Sequence, residues 1–298
     1  MAVFMGLASG LLAQEPYRPP VILGILEELP SADAPNAPKI RGVQVLFKKA
    51  GKDWIAYPHN CADGPCVTAP VHDFPQEVIW TISFDGKNLG QVTARSHTNP
   101  RLYWRDGQQE ITSKAPIPTV GKRSLDFGGQ LEIAVYRPLV AVSQPNFRDP
   151  DQWKPAVVAP NMLSTLQQGF RHQFPKLCRT SATDDTQLAP FPYGDEEIKL
   201  VKSYPSKSGW TFARLHLEGA IDCEDTEAGF DIDDPWFVVD DKSEVRYLDS
   251  GMFLVDAGDY DADGKSEVVF SINSDNRGGY RIFYDDFRKK AEFKFSYH

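Results

Sequence analysis

From Val43 onward, apolar residues recur at every second position over short stretches, and turn residues punctuate them. That period is the signature of half-buried strands rather than helices. Val43–Lys48, Asp53–Tyr57, Val78–Phe84 and Leu89–Ala94 are four such stretches, and Asp85-Gly86 is a strong hairpin pair. They fit one antiparallel sheet. Arg101–Trp104, Glu110–Thr112 and Leu131–Val142 read as further strands, with Pro138 interrupting the last. The last hundred residues are the most regular. Glu197–Tyr204, Trp210–Leu217, Trp236–Val239 and Glu244–Leu248 make one group of four. Met252–Asp256, Glu267–Ile272, Tyr280–Tyr284 and Glu292–Tyr297 make another. One stretch switches to helical spacing: Asn161–Phe174 carries Met162, Leu163, Leu166 and Phe170 on one face, with Asn161 as the expected cap.

Groups of four short strands every 45–55 residues are what a β-propeller blade requires. The expected fold is therefore all-β, an irregular propeller of about five four-stranded blades with one inserted α-helix. A pair of β-sandwiches is the alternative, since it also yields many short strands. The last strand, Glu292–Tyr297, is expected to meet Val21–Leu26 and close the ring.

The chain begins with an uncharged apolar run, residues 2–13, too short to span a bilayer. It matches the core of a signal peptide cleaved after Ala13, although no basic residue precedes it. A proline-rich leader over 14–40 follows, then one propeller-like domain over 41–298. The expected location is secreted or periplasmic, with no transmembrane segment. An even number of cysteines suits that compartment. Cys61–Cys66 and Cys178–Cys223 are the expected disulfides, with free thiols and a metal site flanked by His59 and His72 as alternatives.

Charge changes the picture further. The chain has 32 Lys+Arg and 41 Asp+Glu, a net charge of −9. Residues 1–180 hold 19 basic and 15 acidic side chains, which leaves 13 and 26 for residues 181–298. An acidic chain without a basic block is a poor partner for a phosphate backbone, so nucleic acid is excluded as a ligand class. A protein or glycan ligand remains open.

Part of the C-terminal acidity is concentrated in Asp259-Tyr-Asp261-Ala-Asp263-Gly264-Lys265-Ser266-Glu267. Acids stand at positions 1, 3, 5 and 9, with glycine at 6. Ca²⁺ takes six to eight hard oxygen ligands in a small space, and position 7 supplies a backbone carbonyl, here that of Lys265. Carboxylates packed together without a cation repel one another. An EF-hand is disfavoured, because Phe270 stands where a bidentate Glu belongs and the flanks read as strands. Asp249 and Asp256 are nearby acids without an assigned ligand role.

The strand–loop–strand setting of Val255–Phe270 resembles the FG-GAP or VCBS repeat of integrin α-chain-like β-propellers. The likeness covers 252–298, with Glu267 where that family has Asp. The resemblance implies a structural Ca²⁺ held by Asp259, Asp261, Asp263, the Lys265 carbonyl and Glu267. No nucleophile elbow, phosphate loop or zinc-protease motif is present in the sequence. The expected function is that of an exported calcium-binding, non-catalytic binding or scaffold module. The alternative is a propeller-type hydrolase acting on a glycan or phosphoester through the acids of Asp231–Asp234.

Overall fold

The computed structural model describes residues 20–29, 40–57, 74–96, 107–127, 131–145, 147–180, 188–223, 234–274 and 277–296. The expected signal peptide, residues 14–19 and 30–39 of the leader, Cys61 and Cys66, and the strand expected over 101–104 lie outside them.

The N-terminal part runs β1 (Ile22–Leu29), β2 (Ile40–Ala50), β3 (Asp53–Ala56), β4 (Glu77–Phe84), β5 (Lys87–Ser96), β6 (Gln108–Ile111), β7 (Lys122–Phe127), β8 (Leu131–Tyr136) and β9 (Leu139–Val142). Pairing in the order β1-β9-β4-β5-β6-β2 returns to β1, so six antiparallel strands close into a barrel, with β3 attached to β2. This departs from the expectation of blades over the same residues. The strands at 43–48, 53–57, 78–84 and 89–94 do share one sheet, but that sheet is a closed wall. Nor does β1 complete the C-terminal sheet; it pairs with β2 and β9 instead.

Closure explains why β9 is an unbroken apolar run. Leu139 and Ala141 join the cluster that fills the barrel, with Val43, Val45, Trp80, Ile82 and Val92. Val140 and Val142 face outward into a second core. A strand buried on both faces has no polar side to show. Inside, the Trp80 indole N–H donates to Gln109 Oε1 at 2.8 Å, and Gln109 Nε2 donates to the Pro75 carbonyl at 2.7 Å. Pro138 separates β9 from β8, which leaves the barrel wall to pair with β7.

The C-terminal part runs α1 (Pro160–Gln173), β10 (Leu177–Thr180), β11 (Leu188–Pro190), β12 (Lys199–Pro205), β13 (Thr211–His216), β14 (Ile221–Asp222), β15 (Trp236–Val239), β16 (Val245–Asp249), β17 (Met252–Gly258), β18 (Glu267–Ser274), β19 (Arg277–Tyr284) and β20 (Lys289–Ser296). The two groups of four read from the pattern form as such: a meander β12-β13-β15-β16 and a meander β17-β18-β19-β20. A small sheet β11-β10-β14 stands beside them, closed by the Cys178–Cys223 disulfide.

Helix α1 starts one residue earlier than expected. Its N-cap is Ala159, and Pro160 supplies the fixed φ suited to a first turn, so Asn161 lies inside the helix. Leu166 and Phe170 are its fully buried residues.

The stacking order is barrel, second meander, first meander, helix. In β15, Trp236 and Val238 face the second meander, while Phe237 and Val239 face α1. In β18, Val268 and Phe270 face the first meander, while Val269 faces the barrel. Phe270 packs against Phe212, Trp236 and Phe283 at centroid separations of 6.3, 5.0 and 5.8 Å. The protein is mainly β, with one α-helix among the described residues. Four of the six tryptophans, Trp54, Trp80, Trp153 and Trp236, are buried anchors of these cores.

Candidate metal-binding loop

Strands β17 and β18 are joined by the acidic loop, and the backbone there turns sharply. Ala262 and Gly264 have φ of 62° and 92°. A Cβ on Gly264 would meet nothing within 4 Å, so the requirement for glycine is conformational rather than spatial. The turn brings one oxygen each of Asp259, Asp261 and Glu267 within 4.8 Å of one another. Oxygens on one Ca²⁺ lie about 2.3–2.6 Å from it, so two of them stand at most about 5 Å apart. The three carboxylates fit that sphere. Asp263 is not part of the group; its Oδ1 accepts from Lys265 N–H at 2.9 Å. The Lys265 ammonium turns away from the loop to pair with Asp285 and Asp286.

Backbone and side-chain donors hold the carboxylates. Asp259 accepts from Asp263 N–H and Gly264 N–H, each at 3.0 Å. Asp261 Oδ1 accepts from Asp263 N–H at 3.0 Å. Glu267 accepts from Tyr260 N–H at 2.8 Å and from the Trp54 indole at 3.3 Å. Asp261 Oδ2 accepts from no backbone amide or neutral side chain, although its side chain is only 3% exposed. Its one partner among the described residues is the Lys49 ammonium, which sits against it as an ion pair.

The electrostatics agree with crowded, buried acids. Burial pushes the Glu267 carboxyl well above its ordinary range, and repulsion by Asp261 adds to it. Burial also raises Asp259, with Asp261 and Asp263 adding repulsion. A divalent ion would reverse that balance, because metal binding favours the deprotonated ligand.

The loop also docks on the barrel side. Asp259 N–H donates to the Arg148 carbonyl at 2.8 Å, Gln144 Nε2 to the Asp261 carbonyl at 3.3 Å, and Ser266 Oγ to Asp149 Oδ1 at 3.0 Å. Lys49 and Trp54 are cross-strand partners on the β2–β3 hairpin. None of the contacts between the loop and the barrel side was signalled locally in the sequence, since they join residues more than a hundred positions apart. Just beyond the loop, Asp256 on β17 accepts from Ser83 Oγ and Asp85 N–H, each at 2.9 Å. Burial pushes its carboxyl up to about 6. Asp249 is taken up by Arg281 at 2.5 Å.

At the other acidic cluster, Asp231 and Asp233 lie outside the described residues. Asp234 pairs with His216 Nδ1 at 2.6 Å and with Arg214 at 3.4 Å. Its carboxylate is already engaged by two basic groups, a pairing that the strand pattern did not reveal. A cavity of about 780 Å³ lies between α1 and β15–β16, lined by His172, Gln168, Phe237, Arg246 and Tyr247 among others. Arg246 is turned away to the carbonyls of Asp286 and Phe287. No helix among the described residues is long and apolar enough to cross a membrane. Comparison of the chain with family models, curated proteins and solved structures gives no match.

Proposed function

We propose that this chain is an exported, non-catalytic binding or scaffold module in which a structural Ca²⁺ fixes the β17–β18 loop of the second meander. The convergence of Asp259, Asp261 and Glu267 within 4.8 Å carries the reading. The Lys265 carbonyl and water would complete the sphere, with Asp263 outside the converged group. On this reading the loop is an FG-GAP-type turn, and the two face-to-face meanders are blade-like units beside a barrel. The Cys178–Cys223 disulfide supports an oxidising compartment, secreted or periplasmic. The ligand of the module is a protein or a glycan. No observation at Asp234 favours the hydrolase alternative, because its carboxylate is engaged by His216 and Arg214.

The test is thermal. Adding Ca²⁺ at about a hundred times its dissociation constant to chelator-treated protein should stabilise it by about 2.7 kcal/mol, a rise of roughly 5 °C. The rise should vanish in Asp261→Ala. An equal rise in both proteins would remove the loop as the site.

A further inference from the structure

One carboxylate oxygen in the loop differs from the rest. Both oxygens of Asp259, both of Glu267 and Asp261 Oδ1 already accept hydrogen bonds. Asp261 Oδ2 accepts none from a backbone amide or a neutral side chain, and it is buried. It is therefore the oxygen of the converged carboxylates that is held by a cation rather than by a neutral donor. The cation in place is the Lys49 ammonium.

Lys49 is built for that position. Its backbone N–H is tied to the Val21 carbonyl at 2.8 Å, and its strand partner is Trp54. The side chain is only 14% exposed. The ammonium lies 5.3 Å from the Trp54 ring centroid and 5.6 Å from that of Tyr284, so two aromatic faces hold it from behind. A metal ion bonded to Asp261 Oδ2 would bring a double positive charge against this ammonium. Two like charges about 4 Å apart repel strongly in a site shielded from water.

We propose that Lys49 is a tethered counter-ion that holds the acidic loop when no metal is bound, and that a divalent cation must displace it from Asp261. The proposal rests on the metal reading above and adds a mode of regulation. The barrel then senses the ion, because the residue that leaves belongs to its β2–β3 hairpin. Without metal, the Lys49–Asp261 pair joins barrel and meander. With metal, the ion takes over the loop and the hairpin loses that contact.

Calorimetric titration with CaCl₂ and thermal melts of the full chain test this. Lys49→Met should bind Ca²⁺ about tenfold tighter than wild type, because a competing charge is gone. Its melting temperature should fall below wild type in EDTA, and the deficit should close in Ca²⁺. A merely structural lysine would leave the same deficit in both conditions. Lys49→Arg should keep the wild-type affinity. If wild type binds Ca²⁺ and Lys49→Met binds equally or more weakly, competition is overturned while the metal site stands. If neither binds, both proposals fall. Reductive methylation of the wild-type protein gives a check that needs no variant. Lys49 should react faster in Ca²⁺ than in EDTA, and an unchanged or slower rate would overturn the displacement.

Discussion

The two meanders have the same topology but very different first hairpins. In the first, β12 and β13 are joined around Pro205-Ser-Lys-Ser-Gly209. Within that turn Ser206 N–H donates to the Trp210 carbonyl at 2.7 Å and Trp210 N–H donates to Ser206 Oγ at 3.0 Å, and its outside contacts go to Asp151, which accepts from Lys207 N–H at 2.7 Å and from Ser208 Oγ at 2.6 Å. In the second, the equivalent hairpin carries the acids at 259, 261, 263 and 267, and it reaches across to Lys49, Trp54, Gln144 and Arg148. A four-stranded meander therefore does not need an acidic turn. The acids belong to the contact with the barrel and, on the proposed reading, to a cation, not to the sheet.

The largest effect would break the comparison by removing what the two sheets share. Phe270→Ala empties the middle of their common core, and deleting a buried Phe costs about 3–5 kcal/mol. Chemical denaturation should show both sheets lost in one transition. Survival of one sheet would show that they are independent units.

The next sharpens the difference on the barrel side. The Asp256 carboxyl sits at about 6 in the folded chain against an ordinary value of 3.8. Folding therefore favours its protonated form. That contribution is fully present below pH 3.8 and is lost as pH rises through about 6. Two pH units correspond to about 3 kcal/mol. Urea unfolding in EDTA at pH 4 and pH 7.5 should show a wild-type loss of at least that size, to which the raised Glu267 and Asp259 also contribute, and Asp256→Asn should reduce it. An identical pH slope in both proteins would overturn it.

The smallest effect compares the two turns directly. Gly209 and Gly264 have φ of 90° and 92°. Alanine at either should cost about 1–2 kcal/mol, the penalty of a left-handed residue with a Cβ. Only Gly264→Ala should also weaken the thermal response to Ca²⁺. Equal responses in the two variants would make the loops equivalent after all.

The two meanders were legible in the sequence because each strand alternates and is bounded by turn residues, such as Asp240-Asp241 and Asp285-Asp286. The spacing of the acids at 259, 261 and 267 was legible for the same local reason. The barrel was not. Its closure depends on Val142 pairing with Leu23 on one side and Thr81 on the other, and alternation says nothing about which strands are neighbours. Leu131–Val142 read as one interrupted strand, yet Pro138 marks a change of sheet. Lys49 and Trp54 look like ordinary members of a hairpin until the fold brings β18 beside them.

One consequence of the architecture concerns other molecules. A closed barrel presents no free strand edge, whereas an open meander presents two. In the second meander both edges meet the barrel: β17 lies against β4 and β9, and β20 lies against β3 and β2, where Lys289 pairs with Asp53. In the first, β16 lies under α1, and the outer edge at β12 is met by Ala156, whose N–H donates to the Ser203 carbonyl at 3.1 Å. Lys199 and Lys202 stand on that same strand. A strand from a second chain that tried to extend the first sheet would meet the Ala156 segment and these ammonium groups. Covered edges thus give the open sheets a protection against edge-to-edge growth that the barrel obtains from its closure.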